Sequence, residues 1–181
     1  MQQCPQTDTQ SVHQHGISVK NHLFQLINFL KTQSISNDWR LPDWIYKYRL
    51  SLLSSLYSED IIAEYAEYHD CGKPYCLSFD QNGKKHFPNH AEHSYHTWLS
   101  VGGNPQAAQL MKMDMLIHTI NSSQIEDFAK QPEAITLLLA GLAEIHSNCQ
   151  MFGGIQSTSF KIKYKKIEKY GKKICQILYG E

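Results

Sequence analysis

Apolar residues recur three and four apart along almost the whole chain, and this period constrains the fold more than any other feature. A repeat near 3.6 turns one stripe of a helix inward, whereas a half-buried strand needs strict alternation. Ile17 opens a stripe continued by Val19, Leu23, Leu26, Ile27 and Leu30, on a helix that carries His22. Pro42 stands where a second helix can begin, and Trp44, Ile45, Tyr48, Leu52 and Leu53 carry its stripe as far as Ser54. Ser58, followed by Glu59 and Asp60, reads as an N-cap with an acidic first turn, opening a third helix that runs to about His69. Asn89 is expected to cap a fourth helix, and Asn104-Pro105 to start a fifth that passes Asp114 and reaches His118. Ser122-Ser123 with Glu126 opens a short sixth, a Leu-rich seventh spans Ala134 to about Cys149, and a last helix runs from Phe160 to Tyr179. Between Cys71 and Pro88 the pattern changes: Tyr75–Phe79 and Lys84–Phe87 flank Asn82-Gly83, a strong hairpin-turn signal. The expected fold class is all-α, one domain of seven or eight helices over residues 15–181 behind a loose polar arm at 1–14.

Composition narrows the class. At 181 residues and 41% hydrophobic the chain can bury a core, which sets it apart from the low-hydrophobicity, high-charge sequences that stay disordered. No apolar run approaches the roughly eighteen residues of a bilayer span, and the start MQQCPQTDTQ lacks basic and apolar signal regions, so a cytoplasmic protein without a membrane partner is expected. Five scattered cysteines without a CxxC pair suggest reduced thiols rather than a disulfide framework or a thiolate zinc site. Net charge is zero but uneven: the last 25 residues carry seven lysines against two glutamates. Lys161, Lys163, Lys165 and Lys166 are therefore candidate nucleic-acid contacts. The competing reading is a solvated amphipathic helix packing through Ile162, Ile167, Tyr170 and Ile174.

Ten histidines are unusual, and His69, His86, His90, His93 and His96 crowd one region. The most informative run is His69-Asp70-Cys71-Gly72-Lys73-Pro74, at the end of a helix and before a glycine break. Neighbours on a regular helix point about 100° apart, but at a terminus the backbone can turn both side chains toward one ion.

These residues resemble the HD-domain superfamily of metal-dependent phosphohydrolases, whose order is a helical histidine, a His-Asp pair followed by x-Gly-Lys, and a closing aspartate. The resemblance covers roughly residues 13–120: HGISVKNH is similar to the first-histidine helix, HDCGKP to the middle motif and MKMDM to the closing aspartate. It implies His22, His69, Asp70 and Asp114 as metal ligands. The stretch from HDCGKP through Phe87 and His90 is especially similar to the HD region of bacterial tRNA nucleotidyltransferases, of which this chain has neither the nucleotidyltransferase head nor the usual tRNA-binding remainder. The resemblance makes His90 a contributor to the phosphate or to a second ion.

Two imidazoles and two carboxylates suit Mn, Fe, Ni, Co or Zn and, less ideally, Mg. Such an ion lowers the pKa of bound water and polarises a phosphoryl oxygen. Lys73 would bring a cation to the phosphate, so that Asp70, Lys73 and His90 are the expected catalytic group. His90 and His93 share a helical face, as do Asp114 and His118, which makes His90, His93 and His118 candidates for a second metal or phosphate clamp. His86, His96 and His146 read as structural. The expected activity is hydrolysis of a phosphomonoester or phosphodiester of a nucleotide or RNA end; the alternative is a non-catalytic, metal-dependent binder or sensor of a phosphorylated ligand or nucleic acid.

Overall fold

The computed structural model describes residues 1–7 and 9–180; Asp8 of the expected arm and Glu181 lie outside the described residues. The fold is predominantly helical with one small sheet. In chain order it holds α1 (Val12–Thr32), α2 (Asp43–Lys47), α3 (Arg49–Ser54), α4 (Glu59–Tyr68), α5 (Lys73–Cys76), β1 (Ser78–Phe79), β2 (Lys85–His86), α6 (His90–Ser100) and α7 (Pro105–Met113). These are followed by α8 (Leu116–Thr119), α9 (Ile125–Ala129), α10 (Ala134–Ser147), a 3-10 turn (Cys149–Phe152) and α11 (Thr158–Tyr179).

The chain divides into two compact units. The first comprises Met1–Lys20 and Ser58–Met115, the second Asn21–Tyr57 and Leu116–Glu181. In the first unit, α1 begins at Val12, five residues before the stripe opened by Ile17, because the preceding backbone is tied down. The Val12 amide donates to the Cys4 carbonyl at 2.8 Å, and Pro5 bridges to Ser11. The inward stripe of α1 is thereby extended to Val12, His15, Gly16 and Val19, all buried, while Ile17 is 36% exposed. Gly16 permits the crossing of α1 over α4, since a β-carbon there would stand 2.0 Å from the Glu67 carbonyl oxygen. Glu67 then binds both ends of the crossing, taking a hydrogen bond from Lys20 and standing 3.2 Å from His13 Nε2. The Lys20 hydrogen bond, opposed by burial and joined by His13, holds the Glu67 carboxyl below its ordinary value.

Around the hairpin, Ser78 pairs with His86 and Phe79 with Lys85, with Gly83 at φ 75° in the turn that the Asn-Gly signal predicts. Asn104 caps α7 through the amides of Gln106 and Ala107. Asn89 precedes α6 in the left-handed region, with no side-chain cap bond, so it turns the chain rather than capping it. The expected fifth helix is divided: α7 ends at Met113, and α8 resumes at Leu116.

In the second unit α10 is buried on nearly every side, as its Leu-rich sequence requires, and α11 packs on it and on α9. The buried stripe of α11 is Phe160, Tyr164, Ile167, Gly171 and Ile174, at spacings of four and three, widened by Tyr170 and Cys175 beside it. Ile162, expected on that stripe, is 65% exposed, because it falls two residues from Phe160 and Tyr164 and so on the opposite side of the helix. Ser157 caps α11 by accepting from the Phe160 amide at 3.1 Å. Among the described residues, no helix is long and apolar enough to cross a membrane.

Candidate metal centre

His69 and Asp70 emerge where α4 ends, and His69 keeps αR backbone angles as its C-cap. Both are buried, at 3% and 2% exposure. The histidine that α1 brings to them is His15, wholly buried, whose Nε2 lies 3.8 Å from Asp70 Oδ2 and whose ring meets the His69 ring edge-on at 5.3 Å. His15, His69 and Asp70 offer ligand atoms all within 4.8 Å of one another.

The chemistry of this donor set fits a divalent cation. His69 Nδ1 donates to the Ala66 carbonyl at 2.9 Å, which turns Nε2 toward Asp70 Oδ2 at 3.2 Å. A proton on Nε2 holds that contact, and a metal ion would displace it. Burial alone would raise the Asp70 carboxyl, but His69 and Lys73, with His15, outweigh it and hold Asp70 well below the usual carboxylate range. The group therefore presents an ionised oxygen and imidazole nitrogens, a set suited to borderline divalent metals.

The surrounding residues complete the site. Lys73 is buried, with Nζ 2.6 Å from Asp70 Oδ2 and 3.0 Å from Gln6 Oε1, so its ammonium neutralises Asp70 directly. His90 donates from Nδ1 to the Phe87 carbonyl at 3.0 Å, which turns Nε2 toward Asp70 Oδ1 at 3.8 Å; at 18% exposure it forms the open side of the group. Asp114, expected as a further ligand, is not among the residues whose ligand atoms converge; it is buried at the C-cap of α7 and accepts from the Tyr65 hydroxyl, and the Tyr65 ring lies 6.3 Å from that of His69. Gly72 lets α6 approach: its amide donates to Ser94 Oγ at 2.9 Å, and a β-carbon there would stand 2.2 Å from the Ser94 amide nitrogen. Burial pushes the Cys71 thiol up to about 11, which leaves it inert beside the site.

Sequence reasoning and structure part at His22. It belongs to the second unit, where its ring lies 5.9 Å from that of Trp39. It follows His15 by seven residues on one helix, about 10 Å of rise, so a ligand sphere that contains His15 does not extend to His22. Counting back four from Val19 puts His15 on the inward stripe, but His22 lies two helical turns along the same face, so the sequence alone does not choose between them. His93 is exposed on α6. His118, in the second unit, has Nε2 3.0 Å from Glu144 Oε2, so a carboxylate of its own unit holds the nitrogen that a second-metal role would need. Of the four lysines singled out on α11, Lys166 donates to the His118 carbonyl, Lys163 sits 5.1 Å over the Phe152 ring, Lys161 is half-buried and Lys165 is exposed.

Compared with family models, curated proteins and solved structures, the chain matches none.

Proposed function

We propose that the protein is an HD-type, metal-dependent phosphohydrolase acting on a phosphoester of a nucleotide or nucleic-acid end. The observation that carries the reading is the buried convergence of His15, His69 and Asp70, with Lys73 and His90 against the same carboxylate. In this reading His15, His69 and Asp70 would hold the ion. A divalent ion there activates water and draws charge from a phosphoryl oxygen. Lys73 keeps Asp70 ionised and offsets the negative charge that gathers on the phosphoryl oxygens as water adds to phosphorus and the ester P–O bond breaks. His90, at the open side, passes a proton to the departing oxygen through Nε2. Tyr65 orients Asp114, and the Ala66 carbonyl orients the His69 ring.

The test is release of phosphate or alcohol by purified protein from p-nitrophenyl phosphate, mononucleotides and end-phosphorylated RNA, with Mn, Ni or Mg and after chelation. Metal-dependent turnover that disappears in Asp70→Asn supports the reading. Metal-dependent ligand retention with no turnover on any of these substrates replaces hydrolysis by binding, and no metal retained at micromolar concentration removes both.

A further inference from the structure

We propose that the hairpin beside the metal centre is a stacking platform for single-stranded nucleic acid, which seats the nucleotides that adjoin the reacting phosphate. The inference rests on reading the His15–Asp70 group as the reacting centre.

Phe79 is 63% exposed, and it sits directly opposite Lys85 in the β1–β2 ladder. Directly opposed residues share one face of an antiparallel pair, so Phe79 and Lys85 lie side by side. Alternation carried one step past β2 puts Phe87 on that face, and the Phe87 ring lies 5.3 Å from Lys73 Nζ. Lys73 in turn is 2.6 Å from Asp70. From the metal cluster outward, the molecule thus offers cation, ring, cation, ring: Lys73, Phe87, Lys85, Phe79. The one carboxylate of the hairpin, Asp80, is tied into the turn and is outnumbered by Lys84 and Lys85. Asp80 Oδ1 accepts from the amides of Asn82 and Lys84 at 2.8 and 3.0 Å, and Oδ2 stands 3.1 Å from His86 Nε2.

An alternation of cations and rings, with Phe79 exposed, Phe87 half-buried and Lys73 buried at the inner end, is the complement of a chain that alternates phosphates and bases. Bases stack on aromatic faces irrespective of sequence, while lysines track the backbone. A sugar phosphate has no ring for Phe79, and an acidic peptide does not call for two aromatic faces in register with the cations. The occupant that fits this strip is a single strand whose base stacks on Phe79 and whose backbone passes Lys85, its end phosphate directed toward the metal group.

The experiment is fluorescence anisotropy of the full chain with a labelled oligouridylate pentamer carrying phosphorothioate linkages, chosen so that turnover does not consume it, beside an abasic pentamer of equal charge. Phe79→Ala is expected to weaken binding about tenfold, while Phe79→Tyr stays within about twofold. Lys85→Gln is expected to lower the slope of log affinity against log salt by about 0.7, the loss of one single-strand phosphate contact. Tyr46→Ala, which removes an exposed ring of the second unit, is the control and leaves affinity unchanged. The proposal is overturned if wild type binds the abasic strand as tightly as the uridylate, if it binds neither, or if Phe79→Ala binds like wild type. Hydrolysis of p-nitrophenyl phosphate by wild type is scored separately. Platform binding without turnover sinks the hydrolase and keeps the platform; turnover with Phe79-independent binding does the reverse.

Discussion

Asp70 collects more interactions than any other side chain at the site, and each is an electrostatic necessity. A carboxylate at 2% exposure needs compensating partners, and the Lys73 ammonium with the ring nitrogens of His15, His69 and His90 all face it within 3.8 Å. His15→Ala is therefore expected to lower metal retention by about a hundredfold, whereas His22→Ala leaves it within about twofold; isothermal titration with Mn checks both. If His22→Ala loses the metal instead, the assignment of His15 is wrong. A second residue-scale prediction concerns His146, at 3% exposure. It donates from Nδ1 to the Leu142 carbonyl at 2.8 Å and accepts the Arg40 amide on Nε2 at 3.1 Å, which fixes it neutral. Burial, with His22 nearby, lowers its pKa from 6.5 to about 4. A depressed folded value means that the unfolded chain binds the proton first. The contribution is full above pH 6.5 and is lost as pH falls toward 4, up to about 3 kcal/mol. Urea denaturation at several pH values is expected to show that slope, and His146→Gln to make it shallower.

At the scale of elements, two close approaches set the geometry of the site. The first is the crossing of α1 over α4 at Gly16, the second the seat of α6 on the turn at Gly72. Neither accepts a side chain without backbone movement, since the atoms met at 2.0 and 2.2 Å are main-chain oxygen and nitrogen. Gly16→Ala is expected to destabilise the fold by about 3 kcal/mol and to weaken metal binding together with it, because the same shift carries His15 away from Asp70. Chemical denaturation reads the first effect and metal titration the second; an alanine tolerated at Gly16 with unchanged affinity would contradict this account of the crossing. The Tyr65 hydroxyl reaches Asp114 at the C-cap of α7, where Asp114 still holds αR backbone angles.

For the molecule as a whole, metal binding and folding are linked. An ion that binds only folded chain stabilises it by about 2.7 kcal/mol at a hundredfold excess over Kd. For a chain of this length each kcal/mol moves Tm by about 2–4 °C, so Mn is expected to raise Tm by about 5–10 °C, reversibly with EDTA. His15→Ala should abolish that shift while it retains a cooperative transition, and an equal shift in the variant would place the ion elsewhere. The candidate ligands lie in Met1–Lys20 and Ser58–Met115, so if the two compact units melt separately, only the transition of that unit should respond.

Local physics determined much of this protein in advance. The apolar period specified helices, the Leu-rich run a buried one, Asn-Gly a hairpin, and the His-Asp-x-Gly-Lys run a pair of ligands released at a helix end, because each depends on neighbours within a turn or two. The choice between His15 and His22 was not available at that range. Seven residues is two helical turns to within about 20°, so both histidines occupy one face and periodicity gives them the same standing. What separates them is where α4 crosses α1, and that is set by a glycine, a glutamate carbonyl and two flanking ion pairs some fifty residues apart in the chain. The pairing of Lys73 with Asp70, the exposure of Phe79 and the engagement of Lys166 were decided in the same way, by packing between segments that no local pattern connects.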